Sequence, residues 1–152
     1  MPQSPDVSNP SYPPRGFPVT GPARLFLYFL KLLEVPENVL LGGTLASSNG
    51  NGRISGTLTL SNAARFNITG TAQITVGPTD GIADVEKLGS GTLLFTGNTH
   101  SHTGAVRVAS GRLQANGTSR STAFSTTASP TNAVLSGVGT LGNVTLTNTS
   151  GQ

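Results

Sequence analysis

Two histidines, His100 and His102, stand one residue apart and put two imidazoles on the same side of an extended segment. That is the spacing of two metal ligands on one strand face. A zinc site needs a third ligand and usually a fourth. After Glu86 the chain has no Asp or Glu, and it has no Cys anywhere. Asp80, Asp84 and Glu86 would have to be delivered by the fold, and the plainer reading of the histidines is as polar turn residues. The same three carboxylates are the one cluster from which a glycan-cleaving pair would be drawn. Such a pair needs separated acid and base roles and preorganised partners. The cluster adjoins Gly77-Pro78-Thr79-Asp80-Gly81, which reads as a solvated turn. No Ser stands in Gly-x-Ser-x-Gly, and neither Gly89-Ser90-Gly91 nor Ser136-Gly137-Val138-Gly139 ends in the Gly-Lys-Ser/Thr of a phosphate loop. No catalytic residue, metal site or cofactor is assigned, and the chain reads as a non-enzyme.

Composition points the same way. The chain has 152 residues, 20 Gly, 10 Pro, 10% charged residues and a net charge of +3. Absence of Cys excludes a disulfide framework. The high pI reflects few titrating groups rather than a basic face, so nucleic acid is not an expected partner. Lys87, Arg107, Arg112 and Arg120 are unopposed by acids in residues 87–152. Arg107 and Arg112 flank a strand, should point outward, and are the possible ligand-facing residues for a surface glycan or protein. The alternative is solubility of a charge-poor surface. Four Asn-x-Ser/Thr triplets occur, as expected by chance in an Asn/Thr-rich chain.

The elements that position these residues fall into two parts. Residues 1–40 hold eight of the ten prolines and read as a mostly disordered segment. Within it Leu25–Leu33 (LFLYFLKLL) predicts a short apolar helix, too short to span a bilayer. Residues 41–152 hold eighteen of the twenty glycines and alternate with period two. Ile54, Leu58, Leu60, Phe66, Ile68, Ala72, Ile74 and Val76 lie on one parity, and polar residues mostly on the other. The alternation resumes at Leu93/Phe95, Val106/Val108, Leu113/Ala115 and Val144/Leu146. This predicts many short strands, each half-buried. A Gly-x-Leu unit recurs at Gly43, Gly56, Gly91, Gly111 and Gly139. Such recurrence is a solenoid signature, with glycine at the bend and leucine stacked on the next coil.

The stretch Val85–Asn98 (VEKLGSGTLLFTGN) followed by His102–Gln114 (HTGAVRVASGRLQ) resembles the autotransporter-associated β-strand repeat. The resemblance rests on the spacing of Lys87, Gly89, Gly91, Thr92, Leu93, Gly97, Gly104, Val106, Val108, Gly111 and Leu113, over about residues 85–117. His102 stands where that family prefers Tyr. Leu135–Leu146 resembles the segment that usually follows. The resemblance implies an all-β, right-handed single-stranded parallel β-helix. It also implies a passenger region of a type V secreted autotransporter, at the bacterial outer membrane, displayed on the cell surface or secreted. The implied partners are the chain's own translocator barrel and neighbouring passenger coils. Residues 42–152 would give about five coils, a rod roughly 25 Å long. A solenoid end exposes an open sheet edge, so the chain reads as a fragment of a longer surface protein, or as a rod capped by Leu25–Leu33. Three functions are carried forward: a structural stalk, an adhesin segment, and a β-helix enzyme acting on glycans.

Overall fold

The computed structural model describes residues 17–19, 24–28, 33–126 and 132–147. They form a parallel β-solenoid with three faces. The chain completes a first circuit with β1 (Phe17–Val19), β2 (Arg24–Tyr28) and β3 (Leu33–Val35). The second runs through β4 (Val39–Leu41), β5 (Thr44–Asn49) and β6 (Asn51–Ile54), and the third through β7 (Leu58–Leu60), β8 (Ala64–Ile68) and β9 (Gln73–Val76). The fourth is β10 (Thr79–Gly81), β11 (Val85–Leu88) and β12 (Thr92–Phe95). The fifth passes through residues 99–103 without a regular first strand, then β13 (Val106–Val108) and β14 (Gly111–Ala115). The sixth is β15 (Thr118–Ser119), β16 (Phe124–Thr126) and β17 (Ala133–Ser136), followed by β18 (Thr140–Leu141) and β19 (Val144–Leu146).

The second strands stack into a 7-stranded sheet and the third strands into a 6-stranded sheet. The first face is a 4-stranded sheet from β1 to β10 and a 2-stranded pair, β15 and β18. Between those two, Ser101 and Thr103 donate their N–H groups to the Thr79 and Gly81 carbonyls, and Thr99 bridges to Thr118. Neighbouring strands of a hairpin sandwich would be antiparallel; here β8–β11, β11–β13, β9–β12 and β12–β14 are all parallel.

Period-two patterning explains the stacking. Inward residues of successive circuits lie opposite one another, so each column of the interior is a ladder of like positions. Ile74, Leu93 and Leu113 form one such column, and each is fully buried. Ala64, Val85, Val106 and Phe124 form another. Burial of each such side chain contributes about 1.5–3 kcal/mol.

Two expectations about the amino-terminal part need correction. The helix expected over Leu25–Leu33 is not formed where the chain is described: Arg24–Tyr28 is a strand, and Leu33 begins another. A short apolar run fits a buried strand as well as a helix. Here the exposed ladder of β5 offers backbone partners, with Leu25 opposite Leu45. The division at residue 41 also moves, because β3 and β4 pair in register with β6 and β7. The expected disorder before residue 25 meets the strand Phe17–Val19, paired with β4; its remaining residues, 1–16 and 20–23, lie outside the described ones. Among the described residues no helix is long and apolar enough to cross a membrane.

The Gly-x-Leu units also divide differently from a once-per-turn repeat. Gly43 leads into β5, Gly56 into β7, Gly91 into β12, Gly111 into β14 and Gly139 into β18. They therefore mark three different bends. Only Gly91 and Gly111 head strands that stack directly, with Leu93 opposite Leu113. The irregular intervals come from this, not from loops of varying length.

Candidate functional site

The motif residues concentrate in the fourth and fifth circuits, around the bend between the second and third faces. Lys87 shares the parity of Val85, so its side chain enters the interior, where it is fully buried. It stands opposite Phe66 on one side and Val108 on the other. Its stem fills an apolar column, and its Nζ turns back to the bend. There it donates to the carbonyls of Leu88 at 2.7 Å, Gly89 at 2.8 Å and Ser110 at 3.2 Å. Three acceptors match the three N–H donors of an ammonium. Burial pulls the Lys87 pKa down from about 10.5 to about 8, so the ammonium form still predominates at neutral pH.

Gly89 and Gly111 make that bend at φ +76° and +70°, the left-handed region that glycine enters at no steric cost. Gly111 rides directly on the Gly89 carbonyl of the circuit below. Thr92 is half-buried on the outer side, while Leu93, Val106, Val108 and Leu113 are fully buried. Gly97 packs on the Gly77–Pro78 backbone, and Gly104 on the Ala83 carbonyl. Lys87 thus ties two successive circuits together at the point where glycines bring their backbones into contact.

The histidines are inside the rod rather than at a turn surface. From Thr99 to Val108 exposed and buried residues alternate without a break, which carries His100 and His102 inward with Val106 and Val108. The His100 ring packs on Phe95, with centroids 5.2 Å apart, and its Nδ1 pairs with Thr79 Oγ1 at 2.9 Å. His102 Nε2 donates to the Ala83 carbonyl, and the Thr122 hydroxyl donates to the His102 carbonyl. His100, rather than His102 at the family's Tyr position, is the imidazole that packs on an aromatic ring. No group of three His, Cys, Asp or Glu comes together among the described residues.

Each carboxylate has its own partners on the outer side. Asp80 accepts from the Gly81 N–H and the Ser101 hydroxyl. Asp84 accepts from the Ala105 N–H. Glu86 is on the outer face of β11, not in a turn, between Arg65 (3.3 Å) and Arg107 (3.6 Å). Arg107 and Arg112 both point outward, but on different faces: Arg107 lies in the ladder Arg65–Glu86–Arg107, and Arg112 stands between Thr92 and Val134. They form no joint cationic patch. The Arg65–Glu86–Arg107 ladder is partly solvated, so Glu86→Gln is expected to lower stability by no more than about 1 kcal/mol. Urea unfolding at low and high salt checks this, and the difference should shrink as salt screens the pair.

The burial of Lys87 and the polar interior around His100 are what motif reading alone did not anticipate. The signal for both is parity: each lies an even number of residues from an inward valine. No curated protein and no solved structure matches the chain. A family model does match, and it runs from the first residue of β11 to the last of β14, within the fourth and fifth circuits. Residues 85–115 match the passenger-associated-transport-repeat, so the chain carries an autotransporter-passenger type of repeat within a parallel β-solenoid.

Proposed function

We propose that this chain is a structural stretch of an autotransporter passenger: a stalk whose circuits close one on another outside the cell and support secretion and display of what the rod carries. The observation that carries this reading is the unbroken in-register stacking of Ile74, Leu93 and Leu113 through the matched repeat. A solenoid of this kind adds circuits by nearest-neighbour contacts. Each closed circuit buries its own aliphatic column and offers a ladder edge to the next. That is a mechanical task, and carboxylates already engaged by neighbouring donors and arginines favour it over glycan cleavage. The separation of Arg107 from Arg112 weighs against an adhesin patch. The partners in this reading are a translocator barrel and neighbouring passenger coils, and the location is the bacterial surface.

The test places the chain between an export signal and a translocator barrel in a bacterial host. Surface delivery is read by antibody on intact cells, and folding by resistance to added protease. The native chain should be surface-exposed and protease-resistant. Leu93→Asp with Leu113→Asp puts carboxylates into the stacked column and should abolish resistance and reduce delivery several-fold. Equal delivery and resistance of the two would overturn the reading.

A further inference from the structure

One column of the interior changes character along the rod. On the first face Val39 and Leu58 occupy it in the second and third circuits. Thr79 and His100 follow, then Ser119, all buried. Beside it His102 is 1% exposed and Thr122 is 2% exposed. Three circuits therefore hold a polar seam where the earlier ones are aliphatic. The seam includes an unsatisfied atom: His100 Nε2 is buried with no hydrogen-bond partner. Its edge lies against Gly117, where a Cβ would stand 2.7 Å away.

The charged groups around this seam leave an imidazolium without a counter-ion. Thr79 faces His100 from β10 and Phe95 from β12, while Ser119 and Thr122 come from the sixth circuit; all are neutral. Asp80 and Asp84 lie on the exposed side and are engaged by Ser101 and Ala105. Arg120 is exposed. A proton taken up by His100 would therefore sit in the interior among neutral partners. Burial lowers the His100 pKa below its ordinary value; the Gly97 backbone partly offsets this, and His102 adds to it. The segment is also lightly held. Residues 99–103 form no regular strand; one bridge, three backbone bonds and the side-chain bonds of His100, Ser101, His102 and Thr122 hold them.

We propose that residues 97–104 are an acid-released joint, in which protonation of the inward-facing His100 expels this segment and opens the rod there while the aliphatic circuits before it stay closed. The sign follows from linkage. A histidine whose folded pKa is depressed takes its proton more readily when unfolded. Its contribution is complete above the ordinary histidine range and is lost as pH falls through that range. This proposal does not depend on the secretion reading.

Hydrogen exchange of the full chain, corrected for intrinsic rates, is compared at about pH 7.5 and pH 5. Amides of residues 97–106 and 118–123 should lose protection by roughly tenfold or more at the lower pH, while those of β7 to β9 change little. The His100 imidazole C–H resonances of the unmodified chain should titrate in step with that loss. In His100→Gln with His102→Gln the pH dependence should disappear. Uniform loss along the rod, no local loss at pH 5, a His100 imidazole that titrates without any change in protection, or acid release that persists in the double variant would each overturn the joint. If the double variant fails to fold, the exchange and titration of the unmodified chain decide.

Discussion

Lys87→Ala is expected to destabilise the solenoid by about 3–5 kcal/mol, a large part of the total for a domain of this size. Two losses combine. The lysine stem fills the column between Phe66 and Val108, so truncation leaves a cavity in a row of stacked side chains. The ammonium also serves the carbonyls of Leu88, Gly89 and Ser110, which lose a charge-assisted donor at the bend. Release from the cost of burying a charge works against both losses, and Lys87→Met separates the terms. Methionine restores most of the volume but none of the donors, so it should cost about 1–3 kcal/mol. Equilibrium urea unfolding with matched slopes measures both. If methionine were as stable as lysine, the three hydrogen bonds would have no structural weight.

The pH dependence gives a second reading of the same residue. The folded pKa is about 8 and the ordinary value about 10.5. Between them the unfolded chain binds more protons than the folded one, so stability rises with pH. The cost of the buried charge is fully present below about pH 8 and fades as pH climbs through that window, a gain on the order of 3 kcal/mol. Lys87→Met should flatten the profile over that window. An unchanged alkaline slope in that variant would assign the effect to other groups.

Much of this was legible in residues, and the gaps have physical causes. Strict alternation at Ile74, Leu93 and Val106 fixes which side chains enter the interior, and corner glycines mark where the chain bends. The helix expected at Leu25–Leu33 failed because an apolar run of that length carries no period of its own; the ladder it meets decides. Lys87 and the histidines failed for the opposite reason. Their parity with Val85 and Val106 places them inside, but polar chemistry argued for the surface. Parity prevailed because backbone alternation in a stacked ladder cannot slip at one residue without displacing every neighbour. The side chains then found partners in bend carbonyls and Thr79. Arg107 and Arg112 look like a pair in sequence, yet the bend between β13 and β14 sends them to different faces.

Gly111→Ala is expected to be the most damaging single methyl in the repeat, costing more than about 4 kcal/mol and exposing the rod to protease. Two effects coincide there. The backbone sits at φ +70°, where a Cβ costs about 1–2 kcal/mol. That Cβ would also be driven into the Gly89 carbonyl oxygen, with the Gly91 oxygen 2.7 Å away and the Ser90 carbonyl carbon 2.9 Å away. All three are backbone atoms of the circuit below, held by ladders on both sides, so none yields without parting the circuits. Two other glycines isolate the contributions. Gly70 has φ +62° but only the Ser48 carbonyl at 3.5 Å, so Gly70→Ala should cost about 1–2 kcal/mol from conformation alone. Gly117 is not among the positive-φ glycines, yet a Cβ there would strike the Gly97 carbonyl and crowd His100. Gly117→Ala should therefore fall near Gly111→Ala and well above Gly70→Ala in urea unfolding, because backbone contact between circuits outweighs the dihedral. The reverse order, with Gly117→Ala mild and Gly70→Ala severe, would mean that these glycines serve the bend conformation and that the circuits have room between them.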